Sequence, residues 1–103
     1  MEFVVKGPFK ENIYNLMRKI GYHFEGEERA KGELVFARPL REYPRFHLYL
    51  RLKQETNEII FDLHLDQKRP VYNGVTPHSA EYGGKVVEAE VKRIKQIFES
   101  LKK

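Results

Sequence analysis

The chain contains no cysteine, which removes disulfides, thiolate zinc knuckles, iron–sulfur ligation and cysteine nucleophiles from consideration. Any metal must then be held by His, Asp or Glu. No apolar run approaches the roughly 20 residues that a membrane-spanning helix needs. The N-terminal residues Met1-Glu2-Phe3-Val4-Val5-Lys6 combine an acidic second residue with a short apolar run, which does not read as a secretory signal. The expectation is a cytoplasmic protein with no membrane partner. Neither sign of charge dominates, since 19 basic residues stand against 15 acidic ones. This is a dense mixture rather than a basic block, and it points only weakly to nucleic acid.

What the chain does have is apolar material: 41% of its 103 residues, with 13% aromatic. A chain of this length buries roughly two thirds of its unfolded surface around one core. One domain over residues 1–103 is the expectation, without repeats or low-complexity tracts.

Residues 2–6 alternate, with Phe3 and Val5 on one side. Gly7-Pro8 offers a helix start, because proline is tolerated at the first helical position, and Phe9, Ile13, Leu16, Met17 and Ile20 then recur at helical spacing. Gly21 is placed to end that helix in the left-handed conformation. Tyr22 to Glu25 reads as a short strand, residues 26–32 as a solvated turn, and Glu33 to Arg38 as a further strand closed by Pro39. Arg45 to Lys53 alternates strictly and Glu58 to Asp66 almost as well, with Gln54-Glu55-Thr56-Asn57 between them, a loop length common in hairpins. Residues 67–84 form a long stretch without periodicity. Val87, Val91, Ile94, Phe98 and Leu101 mark a second helix, with Glu88 and Glu90 early and basic residues late, as the helix dipole favours.

The expected fold is therefore α+β, a two-layer sandwich. It has an antiparallel sheet of about four to five strands with two helices on one face, in the order β-α-β(-β)-β-β-α.

If Lys53 stands opposite Glu58, then Phe46, Leu48, Leu50 and Leu52 of one strand and Ile59, Phe61, Leu63 and Leu65 of the other point to one side, the core. On the other face the register pairs Arg51 with Ile60, Tyr49 with Asp62, His47 with His64, and Arg45 with Asp66. Directly opposed residues have Cβ atoms about 4.5–5.5 Å apart, so the two imidazoles can share one ligand. Aspartate is depleted in strands, yet Asp62 and Asp66 flank His64. Cross-strand charge pairing on a solvated sheet explains the same residues without any site, and the long segment that follows adds His78 and Glu81 as further candidates.

A metal site here would use His47, His64 and Asp66, a nitrogen and carboxylate set that zinc accepts. Tyr49, Asp62, Arg45, His78 and Glu81 would then be the residues around a ligand. A metal-independent alternative makes His47 and His64 the acid and base of a phosphodiesterase, since histidine titrates near neutrality. His47-Leu48-Tyr49 and His64-Leu65-Asp66 resemble the paired His-x-Thr arrangement of two-histidine phosphoesterases, with Tyr and Asp where that family has its hydroxyl.

An RNA-binding module is a second class. The helix, three-strand, helix order resembles the double-stranded RNA-binding domain in outline, but Glu88 and Glu90 stand near the helix start where that family is basic. On the open hairpin face Arg45, Arg51 and Lys53 are balanced by Glu58, Asp62 and Asp66. Phosphate contacts would instead fall to Arg38, Arg41, Lys68 and Arg69. The third class is a structural or interaction protein, for which a homodimer through the open sheet is the simplest form.

Overall fold

The computed structural model describes residues 1–67, 80–81 and 83–102, the pair 80–81 as backbone only. In chain order the elements are β1 (Glu2–Lys6), α1 (Ile13–Lys19), β2 (His23–Glu28), β3 (Glu33–Arg38), β4 (Arg45–Lys53), β5 (Glu58–Asp66), β6 (Ala80–Glu81) and α2 (Lys85–Ser100). The strands β1-β5-β4-β3-β2 form one antiparallel sheet, and β6 adds a short pairing to β5. The protein is thus α+β, an antiparallel sheet with two helices.

The β4–β5 register runs from Arg45 opposite Asp66 to Lys53 opposite Glu58. Asn57 closes the connecting loop with φ +59, a left-handed conformation that asparagine tolerates better than most side chains. Because side chains alternate, this register turns Leu48, Leu50, Ile59, Phe61, Leu63 and Leu65 to one side, where all are buried. β1 adds Phe3 opposite Phe61, stacked at 4.8 Å between ring centroids, and Val5 opposite Ile59. These residues join Ile13, Leu16 and Met17 of α1 and Val87, Val91, Ile94 and Phe98 of α2 in one apolar cluster. Leu52, near the hairpin tip, is 44% exposed.

The first helix starts later than Pro8. Asn12 is its N-cap, its side chain accepting a hydrogen bond from the Asn15 N–H at 2.9 Å; a side-chain acceptor satisfies a helix-start donor that proline cannot. Phe9 instead bridges to Lys102 and packs edge-on against Phe98. At the other end, Gly21 adopts φ +93. The Tyr22 N–H donates to Met17 O and the Gly21 N–H to Arg18 O, the paired bonds of a Schellman ending.

Strand β2 reaches Glu28, further than the alternation of residues 22–25 predicts. Its ladder with β3 shifts between Phe24 and Gly26. The shift is a bulge with Glu25 as the extra residue, and a glycine within a strand is the residue type that tolerates one.

Helix α2 departs from the dipole expectation at its C-terminal end. Glu88 lies in its first turn, but no basic residue occupies the last. Glu90 is buried, only 5% exposed. Its carboxylate accepts from Tyr22 Oη at 2.7 Å, from Arg38 Nη1 at 3.1 Å and from Arg93 Nε and Nη2 at 2.8 Å each. Arg93 also donates to Ile20 O, so α1, β3 and α2 are tied at one point.

Candidate metal centre

Cross-strand geometry builds the site on the sheet face opposite the leucines. His47 on β4 and His64 on β5 are direct partners, their ring centroids 5.2 Å apart and tilted by 58°. Tyr49 lies 5.3 Å from the His47 ring and 5.6 Å from the His64 ring, near-parallel to both. Three flat side chains thus pack as one group. That packing restricts their rotamers, as a preformed site requires.

Asp66, at the end of β5, turns its carboxylate into this group. Its Oδ2 lies 2.9 Å from His47 Nδ1 and its Oδ1 3.2 Å from His64 Nε2. The second contact is within ion-pair reach but is not a hydrogen bond. Oδ1 is a buried acceptor with no hydrogen-bond partner among the described residues. His64, Asp66 and the neighbouring Ala37 are at most 8% exposed, although they sit on the face away from the leucines.

A buried carboxylate oxygen without a donor is costly, of order 1–3 kcal/mol or more when charged, and it calls for an explanation in a folded protein. One donor atom each from His47, His64 and Asp66 lie within 4.8 Å of one another. The cluster can therefore hold a metal ion.

Burial pushes His64 below the usual histidine range; the Asp66 carboxylate pulls the other way, and His47 adds to the lowering. The neutral imidazole, the form with a lone pair to offer a metal, is favoured.

The other residues singled out in the sequence fall in different places. Arg45 donates from Nη1 to Glu25 Oε2 and to Leu40 O, both at 3.0 Å, and its Nε stands 4.0 Å from Asp66 Oδ2. Asp62 stands opposite Tyr49 with its side chain half exposed. Arg38 is paired with Glu90, and Arg41 is exposed. The Glu81 backbone pairs with Leu65, while Ala80 stands opposite Asp66. His78, Lys68 and Arg69 lie outside the described residues.

One residue at the site was not anticipated. Glu25 reaches His47 Nε2 with Oε1 at 2.9 Å. Its signal in the sequence is Gly26, a glycine inside a strand and hence a bulge marker. Read as the start of a turn, that glycine conceals a strand that continues to Glu28. No family model, no curated protein and no solved structure matches this chain.

Proposed function

We propose that this protein binds a divalent transition-metal ion through His47, His64 and Asp66, and that zinc is the ion these donors suit best. The observation that carries the reading is Asp66 Oδ1: buried, without a hydrogen-bond partner among the described residues, and 3.2 Å from His64 Nε2. Zinc binds imidazole nitrogen and carboxylate oxygen at about 2.0–2.2 Å, so two donors on one tetrahedral ion lie roughly 3.3 Å apart. With three protein donors, a fourth position is left for water or a small ligand, while the Tyr49 ring packs against both imidazoles. In this reading both helices cover the leucine side of the sheet, and the opposite face is the working one.

The charges around the pair favour a cation over a phosphodiester. Asp66 and Glu25 each lie 2.9 Å from His47, and Glu25 also takes a donor of Arg45. An anionic substrate would meet carboxylates before it met a free guanidinium. The RNA-binding alternative is weakened in the same way, because Arg38 is engaged by Glu90.

The test is calorimetry of the purified protein with zinc, nickel and manganese, together with metal analysis after dialysis. The expected result is one equivalent of zinc, lost in His64→Ala and Asp66→Asn. Absence of binding by the folded wild-type protein for all three ions rejects the proposal.

A further inference from the structure

The imidazole of His47 is contacted at both ends. Asp66 Oδ2 lies 2.9 Å from Nδ1, and Glu25 Oε1 lies 2.9 Å from Nε2. The two carboxylates differ in their surroundings. Asp66 also reaches His64 Nε2, at 3.2 Å, through its orphaned oxygen. Glu25 is held on its other oxygen by Arg45 Nη1, which in turn donates to Leu40 O.

An ion shared by His47, His64 and Asp66 must sit where these three converge, on the Nδ1 side of the His47 ring. The Nε2 end is taken by Glu25 Oε1 at 2.9 Å, and neither His64 nor Asp66 is in contact with it; Arg45 pairs with Glu25 at 3.0 Å and stands 4.0 Å from Asp66 Oδ2.

We infer that Glu25 is the positioning residue of this site. It accepts the Nε2 hydrogen of His47 and thereby commits Nδ1 to the metal, while Arg45 anchors Glu25. The inference rests on the metal-binding reading and adds to it the ligating atom and its support.

Metal-bound histidines commonly donate their second ring N–H to a carboxylate, which fixes the tautomer, orients the ring and makes the ligating nitrogen more basic. Here that carboxylate comes from a third strand, delivered by the β2 bulge. Ala37, the residue of β3 directly beside His47, is fully buried and carries only a methyl group. A small residue at that position lets the β2 side chain reach the β4 ring.

The experiment compares wild type, Glu25→Gln, Glu25→Ala and Asp66→Asn. Each is titrated with zinc against a competing chelator, and two-bond proton–nitrogen NMR spectra of the imidazoles are recorded with and without zinc. In the wild type His47 is expected to be metallated at Nδ1 and protonated at Nε2. Glu25→Gln keeps an acceptor oxygen and should still bind one equivalent, with affinity lowered by about 10- to 100-fold; Glu25→Ala should lose more.

Metallation of His47 at Nε2 overturns the inference. So does complete loss of stoichiometric binding in Glu25→Gln, because Glu25 would then be a ligand. Glu25 variants that bind like wild type, while Asp66→Asn does not bind, also overturn it but leave the metal-binding reading standing. A folded wild type that takes up no zinc removes both. Should Glu25→Ala fail to fold, the near-isosteric Glu25→Gln and the wild-type spectra decide.

Discussion

The Glu90 carboxylate and the Tyr22 hydroxyl meet at 2.7 Å across 68 residues of sequence, in a position where both side chains are almost completely buried. This contact holds the end of the first helix against α2, and Arg38 and Arg93 complete it. Burial raises the Tyr22 hydroxyl far above its usual range, and the adjacent Glu90 charge raises it further. For Glu90, burial acts upward, but the hydrogen bonds from Arg93 and Tyr22 and the charges of Arg93 and Arg38 outweigh it, and the carboxyl ends below its usual range.

Removing one member of this network should cost more than removing a surface ion pair. Tyr22→Phe deletes a hydrogen bond to a charged acceptor, expected to cost about 1.5–3 kcal/mol. Glu90→Ala leaves the Tyr22 hydroxyl without its acceptor and the Arg93 guanidinium without its carboxylate, with only Ile20 O remaining, and should cost about 3–5 kcal/mol. Urea denaturation measures both; a Glu90→Ala variant within about 0.5 kcal/mol of wild type contradicts the network's structural role.

The same carboxyl sets an acid limit. Because its folded-state value lies below the ordinary 4.5, the unfolded chain takes up the proton first. The Glu90 contribution is therefore fully present above about pH 4.5 and is lost as pH falls through the folded value. His64 acts in the same direction at a higher window. Its lowered value means that the unfolded chain binds the extra proton below about 6.5, so stability falls there as pH drops. Denaturation curves between pH 7 and pH 3 should show both declines, with the lower one absent in Glu90→Gln.

Zinc should stabilise the folded chain by mass action. An ion at 100 times its dissociation constant adds about 2.7 kcal/mol, provided the unfolded chain does not bind it. Thermal melts with and without zinc should therefore separate for the wild type and coincide for His64→Ala. A zinc shift that persists undiminished in His64→Ala would place the ion elsewhere.

Gly21→Ala tests the ending of the first helix. At φ +93 an L side chain is strained, and the added Cβ would stand 3.3 Å from Arg38 Nε. A loss of about 1–2 kcal/mol is expected, read from the urea midpoint. An unchanged midpoint would mean that the backbone relaxes at no cost.

Much of the fold was legible because each signal was local. The hairpin register followed from two alternating runs and a four-residue loop, and one slipped position would have exposed every leucine. The helical stripes were legible for the same reason, through Ile13, Leu16 and Met17 and through Val87, Val91, Ile94 and Phe98. The start of the first helix was not, because Gly7-Pro8 suggests a start at Pro8 and the apolar spacing from Phe9 onward does not single out Asn12, the N-cap. The choice fell to Asn12, whose side chain caps while Phe9 is drawn to Phe98.

The sequence by itself determined that His47, His64 and Asp66 share a sheet face, since period-two alternation and a short loop leave no other arrangement for a strand pair with one apolar side. Only the tertiary structure decided that Glu25 joins them and that Glu90 is buried. Glu25 lies on β2, separated from β4 by β3, and Glu90 pairs with Tyr22, with Arg38 on β3 and with Arg93 on α2 itself. Such contacts depend on how a bulge bends one strand and where a helix lands on a sheet, and neither is written in the spacing of neighbouring residues.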